Sequence, residues 1–270
     1  MTERIISELK SIEEKEGVTI LLAVESGSRA WGFDSPDSDY DVRFIYVRRP
    51  VDYLMLDRQR DVLEYPINDL LDISGWDFDK ALRLLHNSNP TLYEWFDSRI
   101  IYHEDEGFKE SMAGLLKQYF SRKKCIGHYL HMARNNSKDF LKGEDIRFKK
   151  YFYVLRSLLA AKWIMQRNEP APILFEELVD YGLDESLKPI VSDLLKKKRS
   201  NPEIKTIGRI GPLNDYIDSL AEEISAFMDN LEDRPDPGWD SLNDRFQREL
   251  GFVPILANYV NRSTGGQSDV

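Results

Sequence analysis

The sequence predicts an α+β fold, with a sheet flanked by helices in residues 1–104 and an all-helical part in residues 105–260. Two observations carry this reading. Short β-branched and apolar runs are concentrated in the first hundred residues. After about His103, apolar residues recur at helical spacing and strand signals nearly vanish.

The elements follow in order. Ile5, Ile6, Leu9 and Ile12 share a helical face over residues 2–15, and Gly17 closes that helix. Residues 18–24 form an apolar run typical of a buried strand. Ser26-Gly27-Ser28-Arg29-Ala30-Trp31 is a turn entering a short helical stretch, and residues 33–38 are loop chemistry throughout. In residues 39–47 Tyr40, Val42, Phe44 and Tyr46 form one row, expected to bury against helices. Asp39, Asp41, Arg43 and Ile45 form the other, expected to face a cleft. Residues 60–65 and 69–74 are further strand candidates. Helices are expected at 77–86, 108–123, 126–141, 147–167, 174–179, 187–199 and 213–231, with a shorter helical turn from Leu92. Residues 233–238 read as a turn-rich break, and the polar tail 261–270 as a flexible end.

The densest chemistry lies in Gly27-Ser28-Arg29 followed by Asp39-Tyr40-Asp41. On an extended strand, residues i and i+2 project from the same face, so Asp39 and Asp41 stand side by side. Adjacent carboxylates repel unless a cation lies between them. Hard oxygen ligands suit Mg²⁺, which commonly completes its coordination with substrate phosphates. The glycine-serine turn lets backbone N–H groups come close to such a phosphate.

Gly27, Ser28, Asp39 and Asp41 match the Gly-Ser…Asp-x-Asp core of the DNA polymerase β-type nucleotidyltransferase superfamily, and the chain resembles it. The wider run from Gly27 to Tyr46 is similar to a bacterial branch of nucleotidyltransferases associated with RNA repair ligases. So are residues 71–77, 87–95 and 151–156. The resemblance implies a polymerase β-like sheet and a third carboxylate on a later strand. Asp72 is favoured for that role, with Asp77, alternatively a helix cap, and Glu64 as rivals. It further implies two Mg²⁺ ions, with Mn²⁺ as a substitute, held by Asp39, Asp41 and Asp72. Gly27 and Ser28 are expected to hold the β/γ phosphates. Arg29 is either a phosphate contact or a surface charge, and Arg43 either a phosphate contact or an offset to the charge of Asp41. Lys150 and Arg156 are helical-domain cations that either reach a triphosphate or form salt bridges.

The expected reaction moves a nucleoside monophosphate from an NTP, with ATP the favoured donor, to a hydroxyl and releases pyrophosphate. An RNA end is the acceptor the branch implies. The alternatives are an antitoxin-like enzyme that AMPylates a partner protein and a non-catalytic nucleotide-binding module.

Composition narrows the partners. A formal net charge of −10 argues against a dedicated duplex-binding protein. Basic clusters at residues 122–124, 147–150 and 196–199 read first as solvated helix faces, and second, above all at Lys149 and Lys150, as contacts with a triphosphate or a single strand. The single cysteine, Cys125, excludes an intramolecular disulfide and is expected to be buried. His128 and His131 are expected to serve packing rather than zinc, and Trp31 and Trp76 to line a core or cleft. No apolar run approaches a membrane span, and the first residues lack a secretion-signal layout, so a cytoplasmic location is expected.

Overall fold

Helix α1 (Thr2–Glu16) ends at Gly17, whose φ of 63° is the left-handed conformation that glycine adopts without a Cβ clash. In the computed structural model, which describes residues 1–66, 70–140, 145–200 and 206–252, the chain then enters a five-stranded sheet. Its strands are β1 (Val18–Ser26), β2 (Tyr40–Arg48), β3 (Val62–Glu64), β4 (Leu71–Asp77) and β5 (Ile101–Glu104), in the order β3-β4-β2-β1-β5. Only β2 and β4 pair in parallel; the other pairs are antiparallel. Asp69, at the start of one expected strand, and the tail 261–270 lie outside the described residues.

The alternation of β2 sets the two faces. Val42, Phe44 and Tyr46 are fully buried and pack with Ile5, Leu9 and Ile12 of α1. Asp41 and Arg43 project from the opposite face, and Ile45 and Val47 continue that row into a second apolar cluster. The cleft-facing row therefore begins polar and ends in the core. This second cluster runs without a break from the sheet through α3 (Phe78–His86) and α4 (Pro90–Asp97) into the helices beyond residue 104.

Those helices are α5 (Phe108–Tyr119), α6 (Arg122–Phe140), α7 (Phe148–Arg167), α8 (Phe175–Gly182), α9 (Lys188–Ser200), α10 (Gly211–Asp229) and α11 (Asp240–Glu249), with the four-residue α2 (Gly27–Ala30) before β2. The expected 108–123 helix stops at Tyr119, because Phe120 is extended and Ser121 starts the next cap by accepting the Lys124 N–H on its Oγ. A small antiparallel strand pair, β6 (Asp145–Arg147) with β7 (Thr206–Gly208), lies within the helical part, where no strand is expected. Three-residue strands are too short to show alternation. Helix α11 was equally silent: its face is polar apart from Leu242 and Phe246, and tertiary contacts hold it. Phe246 packs on Tyr53 and Phe78, and the Arg245 guanidinium lies over Phe78 and Phe108.

A buried carboxylate ties the sheet region to the helices. Glu94 accepts hydrogen bonds from Trp31 Nε1 at 3.1 Å, Tyr129 Oη at 2.6 Å and Arg156 Nη1 at 2.9 Å. The Arg156 guanidinium also lies 4.4 Å from the Trp31 ring centre. Removing one partner from such a buried pair strands a charge, at a cost of about 3–5 kcal/mol. The turn that carries Gly27 and Ser28 is thus held through Trp31 against α4, α6 and α7.

Two stability predictions follow from β4. Gly75 faces Phe44 across the parallel pair, and a Cβ there would overlap the buried Phe44 ring. Gly75→Ala is expected to lose about 1–3 kcal/mol in urea unfolding; an unchanged midpoint would contradict this packing. Asp77 caps α3, accepting the Asp79 N–H at 3.0 Å and the Tyr53 hydroxyl at 2.9 Å, and burial pushes its carboxyl up to about 6. The folded protein then takes up a proton before the unfolded chain does. The group's contribution is fully present below its ordinary value near 3.8 and is lost as pH rises through about 6. Relative to Asp77→Asn, the wild type is expected to gain on the order of 2 kcal/mol between pH 7 and pH 4. Parallel pH–stability curves would refute this.

Candidate active site

The candidate site forms where the end of β1 meets the starts of β2 and β4. Register decides its composition. Asp41 lies opposite Ser26 on β1 and opposite Asp72 on β4. Because β2 and β4 run in parallel, Asp41 and Asp72 share a face, as do Arg43 and Ser74 one step further on. Asp39 stands exposed, one residue before β2 begins.

The acids sense one another. Burial raises the Asp41 carboxyl above its ordinary value; Arg43 pulls it down, and Asp72 and Asp39 push it further up. Arg43 sits between the two paired acids. Its Nη2 donates to Asp72 Oδ2 at 2.7 Å and to Asp41 Oδ1 at 3.3 Å, and its Nη1 donates to the carbonyls of Val42 and Asp72 at 3.0 and 3.1 Å. Of the roles open for Arg43, charge partner of the acids is the one this geometry displays.

Gly27 brings the turn against Asp41. Its φ is 60°, and a Cβ at this position would overlap Asp41 Oδ2. Only a glycine allows both the backbone angle and the close approach. Ser28 follows, half-buried, in the four-residue helix.

Arg29 serves the loop that delivers Asp39. It donates from Nη2 to the Ser38 carbonyl at 2.7 Å and from Nε to the Asp39 carbonyl at 3.1 Å, and stacks on Tyr40 at 3.8 Å. Arg156 is buried in its pair with Glu94 and contributes to the core. Lys150 donates to Asn136 Oδ1 at 3.0 Å and lies 5.4 Å from the Tyr153 ring centre. The two rivals of Asp72 sit elsewhere. Asp77 is at the far end of β4, beside Tyr46, and Glu64 is on β3, paired with Arg60 at 3.2 Å. Trp76 stacks on Trp95 at 3.9 Å, and Cys125 is buried against Ser88.

Sequence reasoning missed two residues. Glu25 is fully buried; its Oε1 accepts the Asp41 N–H at 2.8 Å, and its Oε2 accepts the Tyr102 hydroxyl. Burial raises its carboxyl, with the Tyr102 hydrogen bond opposing. An acid closing an otherwise apolar strand was the available signal. Tyr153, on α7, is raised first by burial and then by the charges of Asp41 and Asp39, so α7 passes close to the acids.

The donor set fits a hard divalent cation. Asp41 and Asp72 offer neighbouring carboxylate oxygens, with Arg43 as the cation now balancing them. Among the described residues, no three histidine, cysteine or carboxylate side chains converge tightly enough to hold an ion unaided.

Gly27→Ala tests the close approach of turn and acid. It is expected to keep the fold and to cost on the order of 1–3 kcal/mol in urea unfolding. An unchanged midpoint would show that the turn does not press on Asp41.

The chain is similar to known proteins along most of its length. The chain is 47% identical over 225 residues to the uncharacterized protein YcgL of Bacillus subtilis (strain 168), covering 83% of this chain and 86% of that one. A nucleotidyltransferase-like protein from Exiguobacterium sibiricum 255-15, of known crystal structure, is 14% identical with a TM-score of 0.31, over 83% of this chain and 74% of that one. Residues 1–248 match the model of one family along nearly their whole length, and the chain belongs to it: the RNA repair pathway DNA polymerase beta family, a group of polymerase β-like nucleotidyltransferases.

Proposed function

We propose that the protein transfers a nucleoside monophosphate from an NTP, with ATP as the favoured donor, to a hydroxyl at an RNA end. One observation carries the reading: Asp41 and Asp72 are register partners on a parallel strand pair, with Gly27 pressed against Asp41. Asp39, Asp41 and Asp72 would hold two Mg²⁺ ions, or Mn²⁺ in their place. When bound, such ions supply electrostatic stabilisation of the charge on the transferring phosphoryl group.

The chain's own residues do the rest. The Gly27–Ser28 turn presents backbone N–H groups with no Cβ in the way, which suits the β and γ phosphates. Glu25 holds the Asp41 backbone and so fixes where its carboxylate stands. Arg43 balances the charge of Asp41 and Asp72 and orients both. In the transfer, the acceptor oxygen forms a bond to the α-phosphorus as the bond to the β-phosphate bridging oxygen breaks, and pyrophosphate leaves. The proton of the acceptor hydroxyl goes to Asp72, whose position beside Asp41 suits a general base.

Incubation with α-labelled ATP, RNA oligonucleotides and a protein pool tests this. Label is expected on RNA, to vanish with EDTA, and to form on the order of a hundredfold more slowly in Asp72→Asn. Label on protein would move the acceptor to a partner polypeptide. Transfer at an undiminished rate in both Asp41→Asn and Asp72→Asn would remove the site from the chemistry.

A further inference from the structure

Two basic clusters that lie about fifty residues apart in sequence meet in the fold. Lys149 lies in the first turn of α7, and Lys196 and Arg199 lie in the last turns of α9. The β6–β7 strand pair brings these ends together, since Arg147 at the entrance to α7 pairs with Thr206 beyond α9. Arg209 follows β7 and acts on Tyr151 of α7. Lys149, Lys196, Arg199 and Arg209 are all exposed.

The cluster adjoins the loop that delivers Asp39. Lys198, buried at the end of α9, donates to the Phe33 carbonyl, and Arg199 donates to the Gly32 carbonyl at 2.9 Å. Burial first and Lys149 second lower the Lys198 ammonium, to about 8, against the opposite pull of Asp34 and Asp37. Like charges are thus gathered here at a cost, in a chain whose formal net charge is −10. The surface also leads toward the acids. Lys149 and Lys150 lie one helical turn before Tyr153, which senses both Asp39 and Asp41.

We propose that the start of α7, the end of α9 and the segment after β7 form a track for the phosphodiester backbone of a single-stranded RNA acceptor, leading its end toward Asp41 and Asp72. The inference rests on the reading of the acids as a transfer site with an RNA acceptor. A few exposed cations on an otherwise acidic chain suit one strand, whereas a duplex calls for a broad basic face. Contacts of this kind reach the backbone and leave the base sequence unread.

The test measures binding, separately from catalysis. Fluorescence polarisation with a short labelled single-stranded RNA is run on the full chain, on the triple variant Lys149→Glu, Lys196→Glu, Arg209→Glu, and on the charge-conserving triple Lys149→Arg, Lys196→Arg, Arg209→Lys. The charge-reversed variant is expected to bind at least roughly tenfold more weakly, with the slope of log K against log salt reduced by about two. The conservative variant and the wild type should bind RNA alike, and calorimetric Mg²⁺–ATP binding should be equal in both triples. RNA affinity insensitive to charge reversal, or absent in the wild type, overturns the track while leaving nucleotide transfer to another acceptor standing. Loss of ATP binding with RNA binding intact would reassign the cations to the triphosphate. Displacement of the RNA by polyglutamate of equal charge would reassign the surface to an acidic protein. Absence of Mg²⁺–ATP binding in the wild type would be the failure of the transfer site itself.

Discussion

The structure depends on the parallel pairing of β2 with β4. Strand pairing fixes side-chain phase, so once Tyr40 lies beside Leu71, Asp41 must lie beside Asp72. The apolar partners on the other face, Val42, Phe44 and Ile73, bury against α1 and lock that register. A slip of β4 by one residue would send Asp72 into the apolar layer. The energy that holds two like charges together is therefore supplied by the hydrophobic face behind them, helped by the Arg43 guanidinium between them.

Around this pair the chain spends buried polar groups on position. Glu25 holds the backbone of Asp41, Arg29 holds the loop before Asp39, and Glu94 anchors Trp31 just after the Gly27–Ser28 turn. Each draws on a distant segment: Tyr102 for Glu25, and Tyr129 and Arg156 for Glu94. The site is thus built at the meeting of sheet and helices, and one continuous apolar cluster spans both. The helical part contributes directly by placing Tyr153 within range of the acids.

Much of this was legible in the sequence where local chemistry decides the outcome. The apolar row of β2, the left-handed glycine after α1 and the Asp77 cap are all determined within a few residues. What escaped is decided by contacts across the fold. Arg156 as a buried partner of Glu94, rather than a cation at a phosphate, depends on two helices meeting. Glu25 is recognisable as a positioning acid only once Asp41 and Tyr102 stand on either side of it. The three-residue strands β6 and β7 carry no periodicity, and α11 owes its place to packing of Phe246 and Arg245.

The most direct test of the central claim is a crystal structure with Mn²⁺ and a non-hydrolysable ATP analogue, with the ion located by anomalous scattering. The account predicts manganese bound by both Asp41 and Asp72, the triphosphate against Gly27 and Ser28, and the Arg43 guanidinium moved from between the acids. Manganese elsewhere, with Arg43 still joining Asp41 to Asp72, would contradict it.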